Sequence, residues 1–385
     1  MNKTFQKILS YVLVAVIAGC TGFALSASLY GRNSKLQQLE QIIVEQFVGE
    51  KDVTVMEDAA ANAMVASLGD RWSYYIPADQ YEAYQQQMRN EYIGVGITIS
   101  VDEETGYLNI LQVEPGGGAS VAGIMPGDTL IKVEGEDVAK LGLDEITNRI
   151  RGEVGTAVNL TVLREKEELN FSVLRKVITV QVAKGQMLQG NVGLVKIANF
   201  DEKCTQQTIS VIEDLVEQGA ESLIFDVRFN PGGYQTELVD VLDYLLPEGV
   251  LFRSKYAGKQ EQTDTSDKKC LEMPMAVLVN GESYSAAEFF AAALNEYDWA
   301  VVVGEPTCGK SYFQITLPLQ DGSAVGLSVG EYFTPKGVSL AKEGGLKPEV
   351  EIPVDEETAA KIQGGLLTPE EDPQIQAALE ALQNP

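Results

Sequence analysis

The chain has 385 residues, which at roughly 150 residues per domain predicts two to three domains. Lys and Arg number 29 against 56 Asp and Glu, a net charge of −27, so the surface repels phosphate and a general nucleic-acid binder is excluded. Histidine is absent, which rules out a Ser-His-Asp or Cys-His hydrolase and any zinc site built on imidazole. Acid–base chemistry must fall to Lys, Asp, Glu, Tyr or Cys. A hydrophobic content of 45% excludes wholesale disorder.

Between Lys7 and Arg32 lie 24 uncharged residues. A bilayer core needs about 20 helical residues, and positive flanks such as Lys3 and Lys7 stay inside. Residues 1–33 are therefore expected to form a single-pass membrane anchor with the body outside the cytoplasm. Two processed alternatives, cleavage near ALSAS (24–28) and lipidation at Cys20, put the body on the same side. The apolar run continues past Cys20, which argues against lipidation. With Cys20 in that run, Cys204, Cys270 and Cys308 permit at most one disulfide, and free, mostly buried thiols are the plainer expectation.

Residues 34–90 read as a helical region. Ser34 caps a run with Leu36, Leu39, Ile43 and Phe47 on one face, closed by Gly49. Thr54 and Glu57 form a capping box for a second helix ending at Gly69, and a third runs from Asp79 to about Asn90. Residues 91–176 change to period two in YIGVGITISVD, YLNILQV and the hairpin VNLTVLRE/LNFSVLR, interrupted by helical GASVAG and LDEITNRIRG. This pattern suggests a small, partly open barrel. The turn Gly123 to Asp128, G-hydrophobic-x-x-G-D, closely resembles a PDZ domain, and Gly94, Val95, Gly96 and Ile97 match that family's carboxylate-binding loop. The resemblance implies that a peptide C-terminus adds there as an extra strand.

From 177 to 355 strands and helices alternate. NVGLVKI, SLIFDVRF, MAVLVN and WAVVVG are near-continuous apolar strands, separated by helices over 205–218, 234–246 and 285–295. That pattern predicts a parallel sheet covered on both faces. Residues 356–385 form an acidic tail with a short helix capped by Asp372, its face of Ile375, Leu379 and Leu382 expected to dock on another surface. The two terminal helical segments could pair across a homodimer.

Sites in open parallel sheets form beyond the C-terminal strand ends. Three ends here are unusual: DVRFNPGG with Gly232 and Gly233, VLVNGESYSAAE with Ser285 opening a helix, and VVVGEPTCGKSYFQ with Lys310 in a loop. A histidine-free serine hydrolase needs a neutral lysine as base. Lowering a lysine from about 10.4 towards 7–8 costs around 4 kcal/mol, so the base must be buried without a carboxylate partner. TCGKSYF carries no acid around Lys310. The oxyanion needs backbone donors, supplied by the amide of Ala286 at the helix start and that of Gly232 or Gly233.

After the anchor the chain resembles the C-terminal processing, or tail-specific, proteases, a Ser-Lys peptidase family. Their N-x-G-S-A-S-A-S-E appears as VNGESYSAAE, which makes Ser285 the nucleophile. Their T-F-G-K-G appears as TCGKS, which makes Lys310 the base, and Gln314 occupies the place of a lysine-orienting glutamine. DVRFNPGG, TPKG, GGLKPE and LGDRWSYYIP follow the family pattern. Cys308, Ser311, Tyr284 and Ala287 depart from it without removing a catalytic atom. The resemblance implies an α/β fold: a ClpP/crotonase-like αβ protease core with an inserted PDZ domain. It also implies no metal or cofactor, and protein or peptide substrates with apolar C-termini. Arg164 lies where some members couple the PDZ module to the active site, although a solvated strand residue fits as well. A catalytically silent PDZ scaffold is the alternative reading of the whole chain.

Overall fold

The computed structural model describes residues 34–383, which divide into two compact units after Pro77. The expected anchor, residues 1–33, lies outside the described residues. Among the described residues no helix is long and apolar enough to cross a membrane.

In the first unit α1 (Lys35–Gln46) starts where expected: the Ser34 hydroxyl accepts the Gln37 N–H, and the Gln37 side chain accepts the Ser34 N–H. The cap of α2 (Val53–Ala66) differs from the expected Thr54–Glu57 box. Asp52 takes the position and accepts the Val55 N–H at 3.2 Å, a carboxylate matching the positive helix end better than a hydroxyl does. The short strand β1 (Tyr74–Ile76) returns to α2, with the Tyr75 hydroxyl donating to Asp58 at 2.6 Å.

The second unit opens with α3 (Ala78–Met88) and β2 (Glu91–Gly94), followed by β3 (Ile97–Val101), β4 (Leu108–Val113), α4 (Gly118–Ala122), β5 (Thr129–Val133), β6 (Glu136–Asp137), α5 (Leu143–Ile150), β7 (Ala157–Arg164) and β8 (Glu167–Leu174). A sheet of order β3-β4-β5-β7-β8 encloses a core of Leu108, Ile110, Leu130, Ile146, Leu160 and Val162. The β7–β8 hairpin turns on Glu165 and Lys166, both with positive φ, the backbone twist that two-residue hairpins need. The chain leaves through β9 (Lys176–Thr179), which pairs with β2 as a two-stranded ribbon. The ribbon is fastened to the following domain by reciprocal side-chain amide bonds between Asn90 and Asn199, at 3.0 and 2.8 Å.

The remaining chain runs β10 (Ala183–Leu188), β11 (Val192–Ile197), α6 (Cys204–Glu217), β12 (Ser222–Asp226), α7 (Gln235–Leu245), β13 (Val250–Tyr256), β14 (Gln262–Thr265), β15 (Met275–Val279), α8 (Ala286–Glu296) and β16 (Ala300–Gly304). It ends with β17 (Tyr312–Pro318), β18 (Ala324–Phe333), α9 (Leu340–Glu343), β19 (Val350–Glu351), α10 (Glu356–Gln363) and α11 (Pro373–Gln383). The sheet order is β10-β11-β12-β15-β16-β19, parallel from β11 onwards. Strand side chains alternate between two cores. Leu223, Phe225, Val277, Val279 and Val302 pack beneath α6, α7 and α8 with Phe289 and Phe290. Ile224, Ala276, Leu278 and Val303 meet Ile375 and Ala378 of α11. The C-terminal helix thus docks its apolar face on its own sheet. The sheet needs that cover because its strands are apolar on both faces.

Candidate active site

The site lies where β12, β15 and β16 end side by side. Ser285 follows the turn after β15 and opens α8, with φ 52° and ψ −119°. A non-glycine residue held there costs roughly 1–3 kcal/mol, so its surroundings must impose it. They do so from both sides. The Ala-rich helix α8 has high helix propensity and is buried from Ala286 to Leu294, which fixes the exit direction. On the entry side the Ser283 hydroxyl donates to the carbonyl of Val227 at 2.8 Å, and the Tyr284 N–H donates to that of Asn230 at 2.9 Å.

The loop after β12 forms the facing wall. Gly232 (φ 92°) approaches so closely that a Cβ there would sit 2.9 Å from the Cβ of Ser285 and 2.9 Å from the carbonyl oxygen of Tyr284. A Cβ at Gly233 would meet the backbone of Phe200 at 2.2 Å. The sequence motif offered either glycine as oxyanion donor. The Gly232 N–H donates to Oδ1 of Asn230 at 2.8 Å and is thereby taken within the loop. The amide of Ala286 sits in the first turn of α8, where intrahelical acceptors are lacking.

Lys310 lies in the loop after β16, and that loop is tied to Ser285 by Glu288, the acid that aligned the motif on Ser285 but to which the sequence assigned no role of its own. Glu288, fully buried one turn into α8, accepts four hydrogen bonds. Oε2 takes the backbone N–H of Ser285 at 2.9 Å and that of Lys310 at 2.8 Å. Oε1 takes the Thr307 hydroxyl at 2.5 Å and the Gly309 N–H at 2.6 Å. Burial pushes the carboxyl up from its ordinary value, and these four donors pull it back part of the way. The available signal was a single acid inside AAEFFAAAL: a carboxylate in an otherwise apolar, buried run needs donors.

Gln314, expected to orient the lysine, lies on β17 beyond the bulge at Phe313. Its amide nitrogen donates to the carbonyl of Tyr312 at 3.0 Å and to the Ser328 hydroxyl at 2.9 Å, leaving the amide oxygen as the acceptor.

The PDZ-like residues sit apart from this centre. Gly94 ends β2, Val95 and Gly96 form the turn, and Ile97 begins β3. The carbonyls of Val95 and Gly96 accept the N–H groups of Ala119 and Glu114 at 2.8 and 2.9 Å. Among the described residues β3 pairs on one side alone, with β4, so its outer edge can accept an added strand. Arg164 is not a solvated strand residue. Its Nε and Nη2 clasp the two carboxylate oxygens of Asp128 at 2.7 Å each, and Nη2 also donates to the carbonyl of Gly123 at 2.8 Å. It thus clamps the Gly123–Asp128 turn. Burial pushes the Asp128 carboxyl up, but the Arg164 hydrogen bonds, the Met125 N–H and the Arg164 charge together leave it below the ordinary carboxylate range.

Comparison with known proteins follows this division. The profile of peptidase family S41 matches residues 191–352, and that of the PDZ domain matches residues 85–163. A carboxyl-terminal-processing protease of Synechocystis sp. is 31% identical over 331 residues, covering 84% of this chain and 76% of the relative. The carboxy-terminal processing protease CtpA of Bacillus subtilis is 29% identical over 364 residues, covering 91% of this chain and 78% of the relative. The crystal structure of a putative S41 protease from Bacteroides fragilis, at 17% identity, shares the fold with a TM-score of 0.54, covering 88% of this chain and 92% of the other.

Proposed function

The chain belongs to peptidase family S41, the C-terminal processing serine proteases, and carries a PDZ domain; on that premise we propose that it cleaves proteins with a Ser285–Lys310 dyad. Lys310, uncharged when it acts, takes the Ser285 hydroxyl proton as the oxygen attacks the scissile carbonyl. The oxyanion that forms is held by the amides of Ala286 and Gly233, and collapses to an acyl-enzyme as the Lys310 ammonium gives its proton to the departing amine. Water then hydrolyses the ester, with Lys310 again moving the proton. Gln314 offers its amide oxygen to the lysine ammonium. The carrying observation is the Glu288 carboxylate, which binds the backbone of Ser285 and of Lys310 through one oxygen.

Substrate capture is assigned to Gly94, Val95, Gly96 and Ile97. An apolar C-terminus would pair with the outer edge of β3, its carboxylate on the loop amides. The helix-covered parallel sheet with its nucleophile at a strand-to-helix turn fits a ClpP/crotonase-like core. Residues 8–31, preceded by Lys3 and Lys7, would tether the enzyme with its site outside the cytoplasm.

The test incubates wild type, Ser285→Ala and Lys310→Ala full chains with a loosely folded protein ending in apolar residues, and reads the products by mass spectrometry. Cleavage by wild type alone is the expected result. Equal cleavage by all three would refute the dyad, and equal rates on a substrate with a charged C-terminus would refute the capture mode.

A further inference from the structure

The cap of the C-terminal helix reaches the loop that carries Gly232 and Gly233. Arg228 lies two residues past the end of β12 and is 4% exposed. Its Nε and Nη2 donate to the two oxygens of Asp226 at 2.9 and 2.7 Å, which satisfies one edge of the guanidinium. The other edge is held from 144 residues away: Nη1 donates to Oδ1 of Asp372 at 3.1 Å and to Oε1 of Gln374 at 2.8 Å. Nη2 also lies 2.9 Å from Oδ2 of Asp372. Asp372 at the same time caps α11, accepting the N–H groups of Gln374 and Ile375 at 3.0 and 3.2 Å. Gln374 is fastened in turn by donating to the carbonyl of Ile352 at 2.8 Å. All four side chains are buried, so removing a partner strands a charge or a polar group without water.

Beyond Arg228 the loop has little freedom. The Phe229 N–H donates to Oδ1 of Asn280 at 3.0 Å, and Phe229 itself has φ 59°. Asn230 then spans both halves of the site. Its carbonyl accepts the N–H of Tyr284, the residue before Ser285, while its side chain accepts the Gly232 N–H and donates to Ile197. Where Arg228 is held therefore decides where the Gly232–Gly233 amides stand relative to the Ser285 turn.

We propose that Asp372 and Gln374 are positioning residues of the peptidase: gripping Arg228, they set the 230–233 loop, which makes α11 part of the catalytic scaffold. The proposal rests on the reading of Ser285 as nucleophile and of Gly233 as oxyanion donor.

The experiment compares full-length wild type, Asp372→Ala, Gln374→Ala, Asp372→Asn and Ser285→Ala. It measures kcat and KM on one peptide, Tm, and the affinity of a peptidyl boronic acid, whose tetrahedral adduct places an oxygen in the oxyanion position. Asp372→Ala and Gln374→Ala are expected to lower kcat by about tenfold or more and boronate affinity by a similar factor, with KM within about twofold of wild type. Asp372→Asn keeps an acceptor for the cap and for Nη1 of Arg228 but turns an NH2 towards Nη2, and recovers only part of both. A lower Tm with wild-type kcat, or a rise in KM alone, overturns the positioning role. If Asp372→Ala fails to fold, Gln374→Ala, which leaves the cap carboxylate in place, carries the test. Turnover that persists in Ser285→Ala would overturn the nucleophile assignment. An inactive Ser285→Ala beside an unimpaired Asp372→Ala and Gln374→Ala would overturn the positioning role alone.

Discussion

Ser285 and Lys310 are joined through a single atom: both backbone N–H groups donate to Oε2 of Glu288, at 2.9 and 2.8 Å. The two loops of the proposed dyad are thus registered against each other by a buried carboxylate that never needs to touch substrate. Glu288→Ala is expected to lower kcat about 100-fold with little change in KM, the scale of loss that a displacement near 1 Å brings. Glu288→Gln should fare little better, because an amide NH2 would face N–H donors. Steady-state kinetics on the same substrate decide it; a Glu288→Ala enzyme with wild-type kcat would remove this role.

Gly232→Ala tests the facing wall. The added Cβ would lie 2.9 Å from the Cβ of Ser285 at a backbone φ of 92°, where a side chain is strained in any case. Either the loop or the serine must shift, so turnover should fall about 100-fold or more while binding of a peptide C-terminus by the PDZ domain is unchanged. Titration of active serine, alongside peptide binding, separates the two effects.

Arg164→Ala should destabilise the PDZ domain by leaving the carboxylate of Asp128 buried without its partner. Because the folded-state carboxyl titrates below its ordinary value, this pair stabilises the fold above about pH 4 and its contribution is lost as pH falls through the lowered value. Acid unfolding followed through residues 91–176 should therefore begin at higher pH in Arg164→Ala than in wild type. Superimposable acid transitions would show that the clasp contributes nothing.

Asp201 behaves in the opposite sense. Burial, reinforced by the negative charges of Glu237 and Glu202, pushes its carboxyl up to about 7. The folded chain then binds a proton that the unfolded chain has released, so stability falls as pH rises between about 4 and 7. Asp201→Asn should remove that slope and stabilise the protein at pH 8 by roughly 1–3 kcal/mol, allowing for relaxation around the charge. Denaturant unfolding of both proteins at pH 5 and pH 8 measures the difference.

The parallel sheet was legible because strands buried on both faces must be apolar throughout, as SLIFD and MAVLV are. The turns holding Ser285, Lys310 and the glycine pair were legible because each interrupts such a strand with residues that packing alone would not choose. The interactions that align them were not. Glu288 looks like an ordinary helix acid until α8 proves buried on all sides, and Arg228 meets Asp372 across 144 residues of chain. Arg164 shows the same limit: its strand position was clear, yet its partner Asp128 lies 36 residues away on a different element. The face of α11 was read correctly as a docking face, but periodicity identifies a buried face without naming what covers it, here the sheet's own strands.

The most direct test of the dyad is the pH dependence of Ser285 acylation by a fluorophosphonate, with the modified residue mapped by mass spectrometry. The account predicts a label on Ser285, a rate governed by a base titrating well below the ordinary lysine value of about 10.4, and loss of labelling in Lys310→Ala. A label on another residue, or a rate in wild type that rises only near 10.4 and survives in Lys310→Ala, would contradict it.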